Sequence, residues 1–233
     1  MRGPRDERGA ALVVVMVMVL LAALLMSGAL RTAWLNEMAA GFELDYLQAF
    51  DNAQALLRDA EFDIKGTAPD GGSCQALAAN AGSCRAAAGA ALSNGKPGFP
   101  RQGSGEFDKV HALLAARAPS CAQGICVVDG VAPEFWRLPR AELDKMKAVA
   151  AHFGEFSGAA PMQDANPLLT TKGWYWVEIL PFDPGAPVPA GAEALAPDAD
   201  SPYVYRVTAI SEGRKPGSRA VLQSLLVLKK AGP

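Results

Sequence analysis

From Ala10 to Leu30 the chain runs 21 residues without a charged side chain, interrupted only by Ser27 and Gly28. A bilayer core about 30 Å thick needs roughly 20 helical residues, so this run is long enough to cross one. A secretory signal has a shorter apolar region, about 7–15 residues, closed by a small-residue cleavage site. No such site precedes Arg31. Arg2, Arg5 and Arg8 stand before the run, and Arg31 is the lone basic residue in the twenty positions after it. The positive-inside rule then keeps the N-terminus cytoplasmic and exports the chain beyond Arg31; in a bacterium that is a single-pass inner-membrane protein with a periplasmic head.

The helical pattern outlasts the bilayer. No proline occurs between Pro4 and Pro69, and Leu35, Met38, Phe42, Ala49, Ala53, Leu56, Ala60 and Ile64 continue at helical spacing. Charged residues (Glu37, Glu43, Asp45, Asp51, Arg58, Asp59 and Glu61) occupy much of the remainder. One helix is expected from Ala10 to Ile64, roughly 80 Å long at 1.5 Å per residue. The organisation expected is a basic leader (1–9), a transmembrane helix (10–30), its amphipathic continuation (31–64) and an exported head (65–233).

Within the head, residues 65–100 read mainly as loop, punctuated by Pro69-Asp70-Gly71-Gly72 and Asn94-Gly95-Lys96-Pro97-Gly98, with an alanine-rich piece at 75–92. Helices are expected at Glu106–Arg117 and Pro139–Phe153. Trp174–Phe182, Tyr203–Ile210 and Arg219–Lys229 are rich in β-branched and aromatic residues and read as strands. Residues 183–202, rich in proline, alanine and acids, read as a mobile loop, and Glu212–Ser218 as a hairpin connection. The fold class is α+β: a long N-terminal helix packed on a small antiparallel sheet.

Composition excludes more than it assigns. The net charge is -2 with no Lys/Arg-rich block, which gives no sign of nucleic-acid contact. Cys74, Cys84, Cys121 and Cys126 all lie on the exported side, where disulfides persist. Four cysteines allow three connectivities, and pairing sequence neighbours needs the least rearrangement. Neither spacing is the C-x-x-C of redox motifs or zinc ribbons. His111 and His152 each sit in an expected helix and read as ordinary surface or half-buried histidines. Asp183, Asp198 and Asp200 do not form a calcium loop. No catalytic constellation, metal site or cofactor motif emerges. The aromatic cluster Trp174, Tyr175 and Trp176 must alternate between sheet faces, so it is a candidate partner surface as well as a core element.

A short basic leader ending in Gly9 directly before an apolar helix resembles the class III signal of type IV pilins and pseudopilins. Within that group the chain is similar to the PilX family of minor pilins. Glu37-Met38-Ala39-Ala40-Gly41 resembles the family's E-x-M-A-G motif, and residues 49–61 resemble its A-F-Q-A-A-E-A-A-L-R-x-A-E stretch. Tyr205-Arg206-Val207-Thr208-Ala209 and Val221-Leu222-Gln223-Ser224 look like its closing strands. The resemblance implies a non-enzymatic subunit of type IV pilus assembly, priming and capping the filament tip. The partners it implies are other minor pilins, the major pilin, the inner-membrane assembly platform, prepilin peptidase and a large tip adhesin. A tip-proximal type II secretion pseudopilin is the alternative within this group, and an anchored periplasmic enzyme or binding domain the alternative outside it.

The resemblance puts the peptidase cut between Gly9 and Ala10, with methylation of the new amino terminus. This chain departs from most pilins twice: alanine follows the cut, and the fifth mature position, usually glutamate, is Val14. Co-expression with a prepilin peptidase should shorten the protein by nine residues, and Gly9→Val should block the cut. Intact mass is the readout, and residues 1–9 retained beside an active peptidase would refute the assignment.

Overall fold

Helix α1 occupies Asp6–Lys65 in the computed structural model. The structure describes residues 6–74, 84–85, 92–93, 96–100, 104–128, 132–159, 172–183, 185, 191, 196–198 and 201–229. It falls into two compact units, Met1–Asp45 and Tyr46–Pro233. In the first, α1 is long and apolar enough to cross a membrane, and its large apolar side chains from Leu12 to Leu30 stand exposed.

In the second unit the helix turns one stripe inward. Ala49, Ala53, Leu56, Ala60 and Ile64 are all fully buried, at the spacing that keeps one helical face on one neighbour. Three of these are alanines, which let the helix backbone come close to the sheet. Leu56 fills the remaining space, and burying such a side chain contributes about 1.5–3 kcal/mol. Gly173 accommodates it, since a Cβ there would stand 2.7 Å from Leu56 Cδ1. The helix stops at Lys65 because Gly66 adopts φ 68°. Thr67 N–H then donates to the Phe62 carbonyl (3.0 Å) and Gly66 N–H to that of Asp63 (3.2 Å), the Schellman pattern of a glycine-terminated helix.

The remaining elements are the two-residue strands β1 (Leu92–Ser93) and β2 (Lys96–Pro97), α2 (Ser104–Ala115), β3 (Cys121–Ala122), β4 (Ile125–Val127), a 3₁₀ turn (Phe135–Arg137), α3 (Arg140–Ala148), β5 (Gly173–Pro181), β6 (Tyr203–Glu212) and β7 (Arg219–Val227). β1 and β2 pair with each other, and the main sheet has the order β3-β4-β5-β6-β7. β5, β6 and β7 form the expected antiparallel meander. The expectation of a purely antiparallel sheet needs correction, because β4 joins β5 in parallel, with Ile125 opposite Val177 and Val127 opposite Ile179. The chain leaves β4, passes through the 3₁₀ turn and α3, and returns to β5, a crossover that places a second layer on the sheet.

The sheet is therefore covered on both faces. One face carries Tyr175, Val177, Ile179, Tyr205, Val207 and Ala209, clustered with the α1 stripe and with Val110 and Leu114 of α2. The other carries Trp176 and Ile210, clustered with Phe135, Leu143, Met146 and the Cys121 and Cys126 side chains. On that second face Arg206 sits opposite Glu178 and grips it with two 2.7 Å hydrogen bonds.

α3 ends before the expected Phe153. Ala151 leaves the helix to exchange both backbone hydrogen bonds with Tyr175 (2.9 and 3.0 Å), and the Val149 carbonyl accepts from Gly124 N–H (2.7 Å). The β3–β4 turn makes this possible. Gln123 and Gly124 both have positive φ, 50° and 77°, as a two-residue type I′ hairpin requires. A Cβ on Gly124 would lie 2.6 Å from that of Ala151, so only glycine admits the contact. Most of the alanine-rich piece at 75–92 and of the loop at 183–202 lies outside the described residues.

Candidate functional site: the exposed helix and its anchorage in the head

Gly9 and Ala10 lie within α1, and Ala10 is exposed. Val14 is 54 % exposed, in an apolar surface shared by every large side chain from Leu12 to Leu30. Exposure of this kind does not stop with the residues a bilayer needs. Trp34, Leu35, Met38, Phe42, Leu44, Tyr46 and Leu47 are exposed as well. Exposed apolar residues in such number are a feature of membrane-facing or interaction surfaces.

The head holds the end of this helix through buried charge. Asp59 and Asp63, one turn apart on α1, are each 1 % exposed. Arg85 reaches Asp63 with Nε 3.1 Å from both carboxylate oxygens. Its Nη2 stands 2.9 Å from Oδ2, a charge contact without good hydrogen-bond alignment. The Tyr175 hydroxyl donates to the same carboxylate at 3.0 Å. The guanidinium lies 3.5 Å over the Phe156 ring and 5.5 Å from that of Phe99. Asp59 accepts from Gly154 N–H at 2.9 Å and from the Ser157 hydroxyl.

Burial pushes the Asp59 carboxyl up from 3.8 to about 6; the bonds from Ser157 and Gly154 oppose this, and the charges of Asp63 and Glu155 add to it. Burial also raises Asp63, against the pull of Arg85's charge and hydrogen bond and of Tyr175. The Tyr175 hydroxyl is driven well above 10, first by burial and then by Asp63. Arg85, Tyr175, Gly154 and Ser157 thus meet the two carboxylates with donors from inside the protein. Among the described residues no group of three or more His, Cys, Asp or Glu side chains could hold a metal. The chemistry of this cluster is anchorage.

The disulfides frame that anchorage. Cys74 is bridged to Cys84 with Cα atoms 5.8 Å apart, which ties the segment after α1 to the residue before Arg85. Cys121 is bridged to Cys126 at 4.1 Å, directly across the β3–β4 hairpin. The aromatic triplet is divided between the two faces of the sheet. Tyr175 and Trp176 are 0 % and 1 % exposed, because α1 covers one sheet face and α3 the other. Trp176 donates from Nε1 to the Met146 carbonyl (3.0 Å), and half-buried Trp174 lies 4.3 Å under the Lys147 ammonium. His152 Nδ1 lies 3.2 Å from the Gly173 carbonyl, and His111 packs near Phe107.

Asp45 and Asp59 read from the sequence as part of the charged remainder of the helix, and both are buried; Arg85 has no local sequence signal. The one usable signal was phase: Asn52, Leu56, Asp59 and Asp63 recur at helical spacing on the buried side, and all four are buried.

A family model for the type IV pilus assembly protein PilX C-terminal region matches residues 80–228. The chain belongs to the PilX family. It is thereby a structural component with a role in type IV pilus assembly. The match takes in the closing strands at 203–224 and also the middle of the head, including Arg85, β4 and α3. The leader and the motifs at 37–41 and 49–61 lie outside it. No curated protein and no solved structure matches the chain.

A folded-state pKa above the ordinary one means that the folded chain binds this proton more readily. Asp59 thus contributes stability at low pH that is lost as pH rises through about 6. Measured against Asp59→Asn, the wild-type chain should gain about 1 kcal/mol of relative stability between pH 7 and pH 5. Urea unfolding of the detergent-solubilised protein, followed by tryptophan fluorescence, gives the comparison. A difference that stays flat with pH would refute the assignment.

Proposed function

We propose that the chain is a non-enzymatic minor pilin that primes and caps a type IV pilus at its tip. In this reading prepilin peptidase cuts after Gly9 and the new terminus is methylated. The uncharged helix then holds the subunit in the inner membrane, N-terminus cytoplasmic and head periplasmic, until the assembly platform adds it to the filament. The exposed apolar residues from Trp34 to Leu47, beyond the reach of a bilayer core, supply packing surface for the helices of other minor pilins and the major pilin. The head faces outward, where a large adhesin would sit.

The observation that carries the tip assignment is Val14. A carboxylate within a bilayer costs about 2.5–3.5 kcal/mol on insertion scales. Pilins that carry glutamate at this position recover that cost by attracting the amino terminus of the subunit added before them. A shaft repeats that contact at every step, so each shaft subunit must offer the carboxylate. A tip subunit has no such predecessor, and valine serves it as ordinary apolar anchor.

Deleting the gene should reduce the number of pili strongly and leave the structure of the remaining filaments unchanged. Immunogold labelling of an epitope on the head should fall at filament ends and at the membrane. Dense labelling along sheared filaments, at copy numbers near that of the major subunit, would refute the tip assignment.

A further inference from the structure

The unit Tyr46–Pro233 is nearly neutral, with 18 Lys and Arg against 19 Asp and Glu. Its charge is nonetheless concentrated. A cleft of about 570 Å³ opens between the α3 layer and the β6–β7 turn, and seven of those cations line it beside one anion, Glu212. The rest of the unit is left with eleven cations and eighteen anions. Arg137 and Arg140 come from the 3₁₀ turn and the start of α3, and Lys147 from the last turn of α3. Lys172 immediately precedes β5. Arg214 and Lys215 belong to the turn after β6, and Arg219 opens β7. The fold gathers these side chains from three separate stretches of sequence (137–147, 172 and 214–219), so local composition alone does not account for their convergence.

Internal contacts show how the cleft is built. Lys147 is held at its wall, its side chain 15 % exposed, between the Glu212 carboxylate at 2.5 Å and the Trp174 ring. Arg137 and Arg140 pair at the rim with Glu134 (3.2 Å) and Asp144 (4.0 Å). Trp136 and the 37 % exposed Leu138 add apolar surface to the same lining.

We propose that this cleft receives a short carboxylate-rich segment of a partner protein. A concave positive wall focuses its field inward, and arginine forks match carboxylates in a bidentate geometry. The volume is that of a site for a compact ligand, enough for a few side chains and not for a duplex. Screening confines the attraction to about 8 Å at physiological salt. A long polyanion would have to cross the acidic remainder of the unit, whereas a short acidic segment meets the cleft alone. Glu212 is the internal precedent: a carboxylate already accepted by the cleft's best-held cation. The proposal rests on the assembly reading only in that a partner protein supplies the segment.

The test uses the full chain in nonionic detergent and fluorescein-labelled hexaglutamate, with hexaglutamine and hexathymidylate as comparison probes, read by fluorescence anisotropy. Hexaglutamate should bind, hexaglutamine should not, and added salt should weaken the complex. The variant Arg214→Glu with Arg219→Glu alters two exposed positions and should bind roughly tenfold more weakly or worse. Lys109→Glu with Arg58→Glu makes the same change in net charge away from the cleft and should bind as wild type does. Absence of hexaglutamate binding, equal loss in both variants, or tighter binding of hexathymidylate would each overturn the proposal. Piliation is not part of the readout, so a failed cleft leaves the assembly reading intact, and a failed assembly reading leaves the binding result intact.

Discussion

The ion pair between Asp63 and Arg85, closed by the Tyr175 hydroxyl, joins three parts of the head that have no sequence proximity: the end of α1, the segment after the first disulfide, and the central strand β5. A buried pair of this kind contributes modestly to net stability, because each ion loses its water. Its consequence is geometric. Once a carboxylate is buried on α1, a rotation or slip of the helix would strand it against apolar side chains, at a cost of about 3–5 kcal/mol. Leu56, Ile64 and the three alanines provide the attraction between helix and sheet, and an alanine-rich stripe alone tolerates several registers. The charged cluster selects one.

Asp59 extends the same constraint by a turn and ties it to the chain beyond α3 through Gly154 and Ser157. That stretch also gives Ala151 to the bridge with Tyr175 and Phe156 to the stack on Arg85. Within this unit the end of α1 is thus held by directional contacts to several segments, with the first disulfide restraining the residue next to Arg85.

Much of this fold was legible in the sequence. The proline-free apolar periodicity gave α1 nearly to its ends, and β-branched and aromatic runs located β5, β6 and β7. The two-residue β3 and three-residue β4 were too short to carry an alternation signal, and with them went the parallel pairing and the second covered face. The second covered face also decides where Trp174, Tyr175 and Trp176 go: alternation sends Tyr175 and Trp176 into opposite buried layers and leaves Trp174 half-buried at the edge. Asp59 looked solvated because charged residues usually are. Arg85 was hidden in an alanine-rich stretch with no local partner. The cationic cleft was invisible for a related reason, since a net charge near zero averages away a patch that only tertiary structure assembles.

The central claim is that Asp63 and Arg85 fix the seating of α1 on the sheet, and hydrogen exchange at the amides of residues 56–64 tests it most directly. In the wild-type protein these amides should exchange as slowly as those of β6. Arg85→Met strands a carboxylate and should speed their exchange roughly hundredfold or more, with β6 affected less. Adding Asp63→Leu removes the stranded charge and should restore most of the protection. Unchanged protection in Arg85→Met, or no recovery in the double variant, would contradict the account and leave apolar packing as the sole anchor of the helix.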